Sequence, residues 1–230
     1  MVKSGGGGLR PGGILIVREG NVGASPRLAR LLAAQLGDTG ITVHGAEVDA
    51  LGGSAIVRLT ARLLLGRRPG AEPGGMGPRR LTAEMVQRAD LVLCATREVR
   101  TTVVRLEPRG LRYTFTVLDF ADIAARLASD PLRQEPADSR TGGSVVRLLV
   151  EAAIEHRHDV RARLRDEPDL IDPGGFRSHD FASVADRLDA AAMPIGQALC
   201  TIARDRPIEL ATRCGQSATA QASLISSMHD

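Results

Sequence analysis

The chain has 230 residues, 43% apolar and 25% charged, which suits one large domain or one domain with extensions and excludes global disorder. Its net charge of +3 comes from 30 basic and 27 acidic residues, so the surface is mixed rather than one-sidedly basic. Aromatic residues make up 2% with no Trp, which leaves few platforms for stacking bases and argues against a nucleic-acid-binding module.

No stretch approaches ~18 uncharged apolar residues, so no membrane span is expected. The opening MVKSGGGGLRPGG lacks the apolar core of a secretory signal. A cytoplasmic location is the expectation. All basic residues but Lys3 are arginine, a bias that makes an Arg-rich surface mostly background. Cys94, Cys200 and Cys214 are spaced for neither a disulfide framework nor a metal knuckle.

In chain order, residues 1–13 are Gly-rich and expected to be flexible. Ile14–Val17 is a short β-branched apolar run, the pattern of a buried parallel strand. Residues 18–25 (REGNVGAS) form a Gly-containing loop. Ser25 is the expected N-cap of a helix with Pro26 at its first position. Leu28, Leu31, Leu32 and Leu36 then recur at helical spacing, and Gly37 stops the helix. Ile41–Val43 reads as a second strand and residues 54–65 as a helix. Residues 66–80 are a Gly/Pro/Arg loop. A short helix over Leu81–Ala89 leads to a third strand, Asp90–Cys94. Thr96 caps a helix to about Leu106, Tyr113–Val117 is a fourth strand, and Asp119–Ala128 is helical. After a polar loop at 130–143 come a helix over 144–165, a loop at 166–180 and a helix over Ala182–Ala203. Residues 204–230 read as a weakly ordered tail.

Strands alternating with helices predict an α/β domain over 14–203. Its core is an open four-stranded parallel sheet with helices on both faces. Ligands of such sheets bind beyond the carboxyl ends of the strands, which directs attention to residues 18–25. A strand, a glycine loop and a helix start can bind an anion through backbone N–H groups and the helix dipole, although many plain α/β turns share that spacing.

The literal residues narrow the choice. ILIVREGNVGASP (Ile14–Pro26) resembles the opening of the low-molecular-weight protein tyrosine phosphatases, which read V-C-x-G-N-x-C-R-S-P. Val17, Gly20, Asn21, Ser25 and Pro26 match in register. The segments Arg79–Val104 and Leu111–Leu127, and DLIDPGG (Asp169–Gly175), resemble later parts of the same family in the right order. The likeness spans roughly residues 13–200. It implies that family's fold, with the first strand central between the second and third.

The resemblance also implies a chemistry and its loss. The family attacks phosphorus with a loop cysteine, clamps phosphate with an arginine six positions later, and protonates the leaving group with an aspartate before proline. Arg18 stands at the cysteine position, Ala24 at the arginine position and Gly23 at that of the second loop cysteine. Glu47 replaces the glycine of the family's S-A-G turn, which reads Gly45-Ala46-Glu47 here. Asp172 before Pro173 remains as the candidate general acid. A guanidinium stays protonated and cannot act as the nucleophile.

The expected function is therefore that of a phosphatase-like protein, catalytically inactive, that binds phosphate or a protein. The expected phosphate loop is Arg18, Glu19, Gly20, Asn21, Val22, Gly23, Ala24 and Ser25. The alternative is an active phosphatase, or another hydrolase, that uses Asp172 and an activated water. Arg18 is misplaced in a cradle favouring anions, and it is expected to pair with Asp172 or Glu47 across the former active-site mouth.

The remaining candidates have plainer readings. Asp169 with Asp172 is a loop pair. His44, His156, His158, His179 and His229 are surface histidines, because the i, i+2 spacing of His156 and His158 separates them on a helix. Arg67, Arg68, Arg79 and Arg80 frame a solvated loop. Cys94 is a core residue. No metal or cofactor is expected.

Overall fold

The computed structural model describes residues 9–18, 24–48, 79–129, 143–163 and 178–205, with backbone alone at 24–26, 158–163 and 178–185. Four parallel strands form one sheet: β1 (Gly13–Arg18), β2 (Thr42–Glu47), β3 (Leu91–Cys94) and β4 (Thr114–Thr116), in the order β2-β1-β3-β4. The first strand is central, as expected. The described helices are α1 (Ala24–Leu36), α2 (Ala83–Arg88), α3 (Arg97–Leu106), α4 (Val117–Ser129), α5 (Val145–Arg163) and α6 (Ser178–Asp205). The helix expected over 54–65 lies outside the described residues.

Strand alternation divides the core in two. Ile14, Ile16, Leu91 and Leu93 face the layer of α1, α4, α5 and α6, packing with Leu28, Leu32, Phe120, Ile123, Leu149 and Leu188. Leu15, Val17, Val92 and Cys94 face the other way and pack with Val86, Val99 and Val103 of α2 and α3. Helices therefore cover both faces, which is why β1 and β3 are continuously apolar.

The helix starts follow their capping chemistry. The Thr82 hydroxyl accepts the Met85 N–H at 3.3 Å, and the Thr96 hydroxyl accepts that of Val99 at 3.1 Å. Thr116 does the same for Asp119 at 3.1 Å. That cap ends β4 at Thr116 and starts α4 at Val117, so the expected strand over Tyr113–Val117 is shorter and the helix longer. Strand β2 runs on to Glu47 rather than ending at Val43. It is an edge strand whose outer positions Thr42 and His44 are exposed, so pairing with β1, not an apolar run, sets its length. Helix α1 starts at Ala24, which places Ser25 inside the first turn rather than at the cap. Pro26 is tolerated there because first-turn N–H groups have no intrahelical acceptor. Helix α6 extends beyond both ends of the expected 182–203.

Of the stretch expected to be flexible, residues 9–13 are described and are tied to the domain. Arg10 donates from both terminal nitrogens to Asp90, at 2.9 and 2.7 Å, and the Gly13 N–H donates to the same carboxylate at 3.0 Å. Asp90 is 2% exposed, a buried charge that this fork and Arg147, at 3.6 Å, compensate. Gly12 makes the bend before β1 at φ +102°, where a Cβ would stand 2.7 Å from the Ser144 hydroxyl. Among the described residues no helix is long and apolar enough to cross a membrane.

Candidate functional site at the carboxyl ends of the strands

Arg18 is the last residue of β1 and Glu47 the last of β2, and the two are register partners. Neighbours in register on parallel strands point to the same side, so their side chains meet. Arg18 Nη2 donates to Glu47 Oε1 in an ion pair that is largely buried, the side chains being 15% and 10% exposed. Of the two carboxylates expected to meet Arg18, this is Glu47. Asp172 lies outside the described residues, as do Asp169 and loop positions Glu19, Gly20, Asn21, Val22 and Gly23.

The backbone holds Glu47 from both sides. Its N–H donates to the Arg79 carbonyl at 2.8 Å, and its own carbonyl accepts the Leu81 N–H at 2.7 Å. The Arg79–Leu81 segment thus adds a single parallel bridge, Glu47 to Arg80, on the outer edge of β2. On the inner side the Val48 N–H donates to the Arg18 carbonyl at 2.8 Å, which extends the β1–β2 ladder past both residues. The side chains of Arg79 and Arg80 are exposed.

Helix α1 begins six residues after Arg18, at Ala24. Its apolar side, Leu28, Ala29 and Leu32, packs on the face of Ile14 and Ile16. Alternation along β1 puts Arg18 on that same face. Arg27, in the first turns of α1, is anchored to Asp189 of α6 by bonds of 2.8 and 2.5 Å. The hydrogen bond from Arg27 holds the Asp189 carboxyl below the usual carboxylate range. Sequence reasoning missed this pair, and no local pattern could have found it, because its members lie 162 positions apart.

Cys94 closes β3 next to Val17 but faces the opposite side of the sheet from Arg18. It is fully buried, and burial pushes its thiol up to about 12, against a weaker downward pull from Arg100. A thiol so desolvated is not a nucleophile at neutral pH. In native protein we expect Cys94 to resist maleimide for as long as the fold persists, while labelling after urea unfolding is complete; peptide mass spectrometry reads both. The sign for stability follows. Because the folded thiol titrates above its ordinary value of 9.0, its contribution is intact below pH 9 and is lost as pH rises toward 12.

His44 is exposed and His156 half-buried. Among the described residues no group of three or more His, Cys, Asp or Glu could share a metal ion.

By sequence, the chain matches no family model and no curated protein. By structure, it is similar to the YwlE arginine phosphatase of Geobacillus stearothermophilus at 23% identity and a TM-score of 0.54, over 85% of this chain and 97% of that one. It is also similar to a YwlE mutant from Bacillus subtilis at 19% identity and a TM-score of 0.51, over 82% and 98%. A YwlE mutant with a phosphorylated active-site serine aligns equally well, at 19% and 0.51, over 82% and 95%. The central β1, the order β2-β1-β3-β4 and these alignments agree: the chain has the low-molecular-weight protein tyrosine phosphatase fold that its sequence motifs imply.

Proposed function

We propose that this protein is a pseudophosphatase, which binds phosphate or a phosphoprotein without cysteine-based hydrolysis. The observation that carries the reading is the Arg18–Glu47 pair at the end of the central strand, where the family resemblance puts the nucleophile. A guanidinium paired with a carboxylate offers no lone pair to phosphorus. Cys94, the nearest thiol along the described strand ends, faces the other layer and stays protonated. The phosphate-binding half of the proposal draws on the loop motif at 18–25 and on the phosphatases that share the fold.

The test is an assay of purified protein with p-nitrophenyl phosphate and with a phosphoarginine peptide, alongside calorimetric titration with inorganic phosphate. We expect phosphate binding and no turnover above the uncatalysed rate. Turnover would overturn the proposal. If that turnover vanished in Asp172→Asn, the acid-assisted hydrolase would take its place.

A further inference from the structure

Resting on that phosphate-binding reading, we propose that Glu47 is an internal substitute for the phosphate group. Its carboxylate occupies Arg18, and a phosphate or phosphate monoester binds by taking the guanidinium over. Arginine carries five N–H donors in a planar fork suited to two oxygens of one anion. Here only Nη2 is engaged, by one oxygen of Glu47. Nε and Nη1 meet no acceptor among the described residues. The side chain nonetheless keeps only 15% of its surface exposed. Among the described residues Nε and Nη1 are not buried, unpartnered atoms, so solvent reaches them and an incoming acceptor can too.

A phosphate group is that acceptor, because it presents two oxygens to the fork and carries up to two negative charges. Glu47 opposes it in two ways. Its carboxylate cancels the charge of Arg18, and its own charge repels the incoming anion at short range. The backbone of Glu47 cannot retreat, being bonded to β1 on one side and to Arg79–Leu81 on the other. With both backbones fixed in the ladder, side-chain rotation is what parts the pair and opens Arg18. The pair is thus a competitive gate, with phosphate affinity set by how firmly Glu47 holds.

The experiment compares wild type, Glu47→Gln and the double variant Arg18→Gln/Glu47→Gln by calorimetry with inorganic phosphate and with phenylphosphonate. The Gln at 47 keeps an oxygen for Nη2 and removes the competing charge. We expect it to bind about tenfold more tightly than wild type, a difference of about 1.4 kcal/mol. The double variant should lose that gain. A gain with phosphate alone marks free phosphate as the ligand, and a gain with both probes marks a monoester. Equal or weaker binding by Glu47→Gln, with wild-type binding intact, overturns the gate and leaves the phosphate-binding reading standing. Absence of binding in all three overturns both. Should Glu47→Gln fail to fold, arginine Nε–H signals of the wild type during phosphate titration decide. Movement of the Arg18 signal supports displacement, and an unmoved signal overturns it.

Discussion

Replacing Arg18 by cysteine, Ala24 by arginine and Glu47 by glycine together is expected to produce aryl-phosphatase turnover at least ~10³ above the unmodified protein. The first two changes restore the nucleophile and the clamp that the family resemblance requires. Neither alone should show activity, because parts that act as a unit are not additive. The structure adds the third change. Glu47 is in contact with the side chain at position 18, so a cysteine placed there would face a carboxylate. A like charge disfavours the thiolate and keeps the nucleophile protonated. We therefore expect Arg18→Cys/Ala24→Arg to be active but at least about tenfold slower than the triple variant at neutral pH. The pH profile of kcat/KM checks the cause: its acidic limb should lie higher in the double variant. Inactivity of the triple variant would mean that the loop no longer cradles phosphate.

Deleting one partner of the Arg18–Glu47 pair is expected to cost more stability than deleting both. With both side chains largely enclosed, Arg18→Leu strands a carboxylate and Glu47→Leu strands a guanidinium. Full burial would make each about 3–5 kcal/mol. The residual exposure lowers the expectation to about 2–3 kcal/mol, since water still reaches the stranded charge. Arg18→Leu/Glu47→Leu leaves no stranded charge and should fall within about 1 kcal/mol of wild type. Urea unfolding of the four proteins gives the coupling energy directly. Single-variant losses that simply add in the double variant would show that the pair contributes no coupling.

These two expectations pull on the same contact from opposite sides. Each partner is needed because the other is there, and the contact that satisfies both charges also occupies the guanidinium on which the proposed phosphate binding depends.

What the sequence by itself determined are the features whose physics is local. Ile14–Val17 and Leu91–Cys94 are apolar at every position, so only a strand covered on both faces can bury them, and both are. Thr96 announced its helix because a threonine hydroxyl needs only the N–H three residues on. The order of the motifs carried the fold. The replaced positions in the loop were likewise legible, since they are read residue by residue. The end of β1 was not: Arg18, expected in the loop, is the last strand residue because the ladder with β2 continues to Glu47.

Only the tertiary structure decided the rest, where the partner is distant in sequence. Thr42–Glu47 has no apolar strand pattern of its own past Val43, with His44 exposed and Gly45 carrying no side chain, and its length comes from the ladder with β1. Arg10 looked like part of a loose glycine-rich terminus until Asp90, 80 positions away, gave it a buried carboxylate. Which acid meets Arg18 was open between Glu47 and Asp172. Parallel register answered it, by carrying Glu47 to the neighbouring strand end from 29 positions away. Periodicity and capping act within a few residues, whereas charge compensation acts through space, and the folded sheet alone sets those distances.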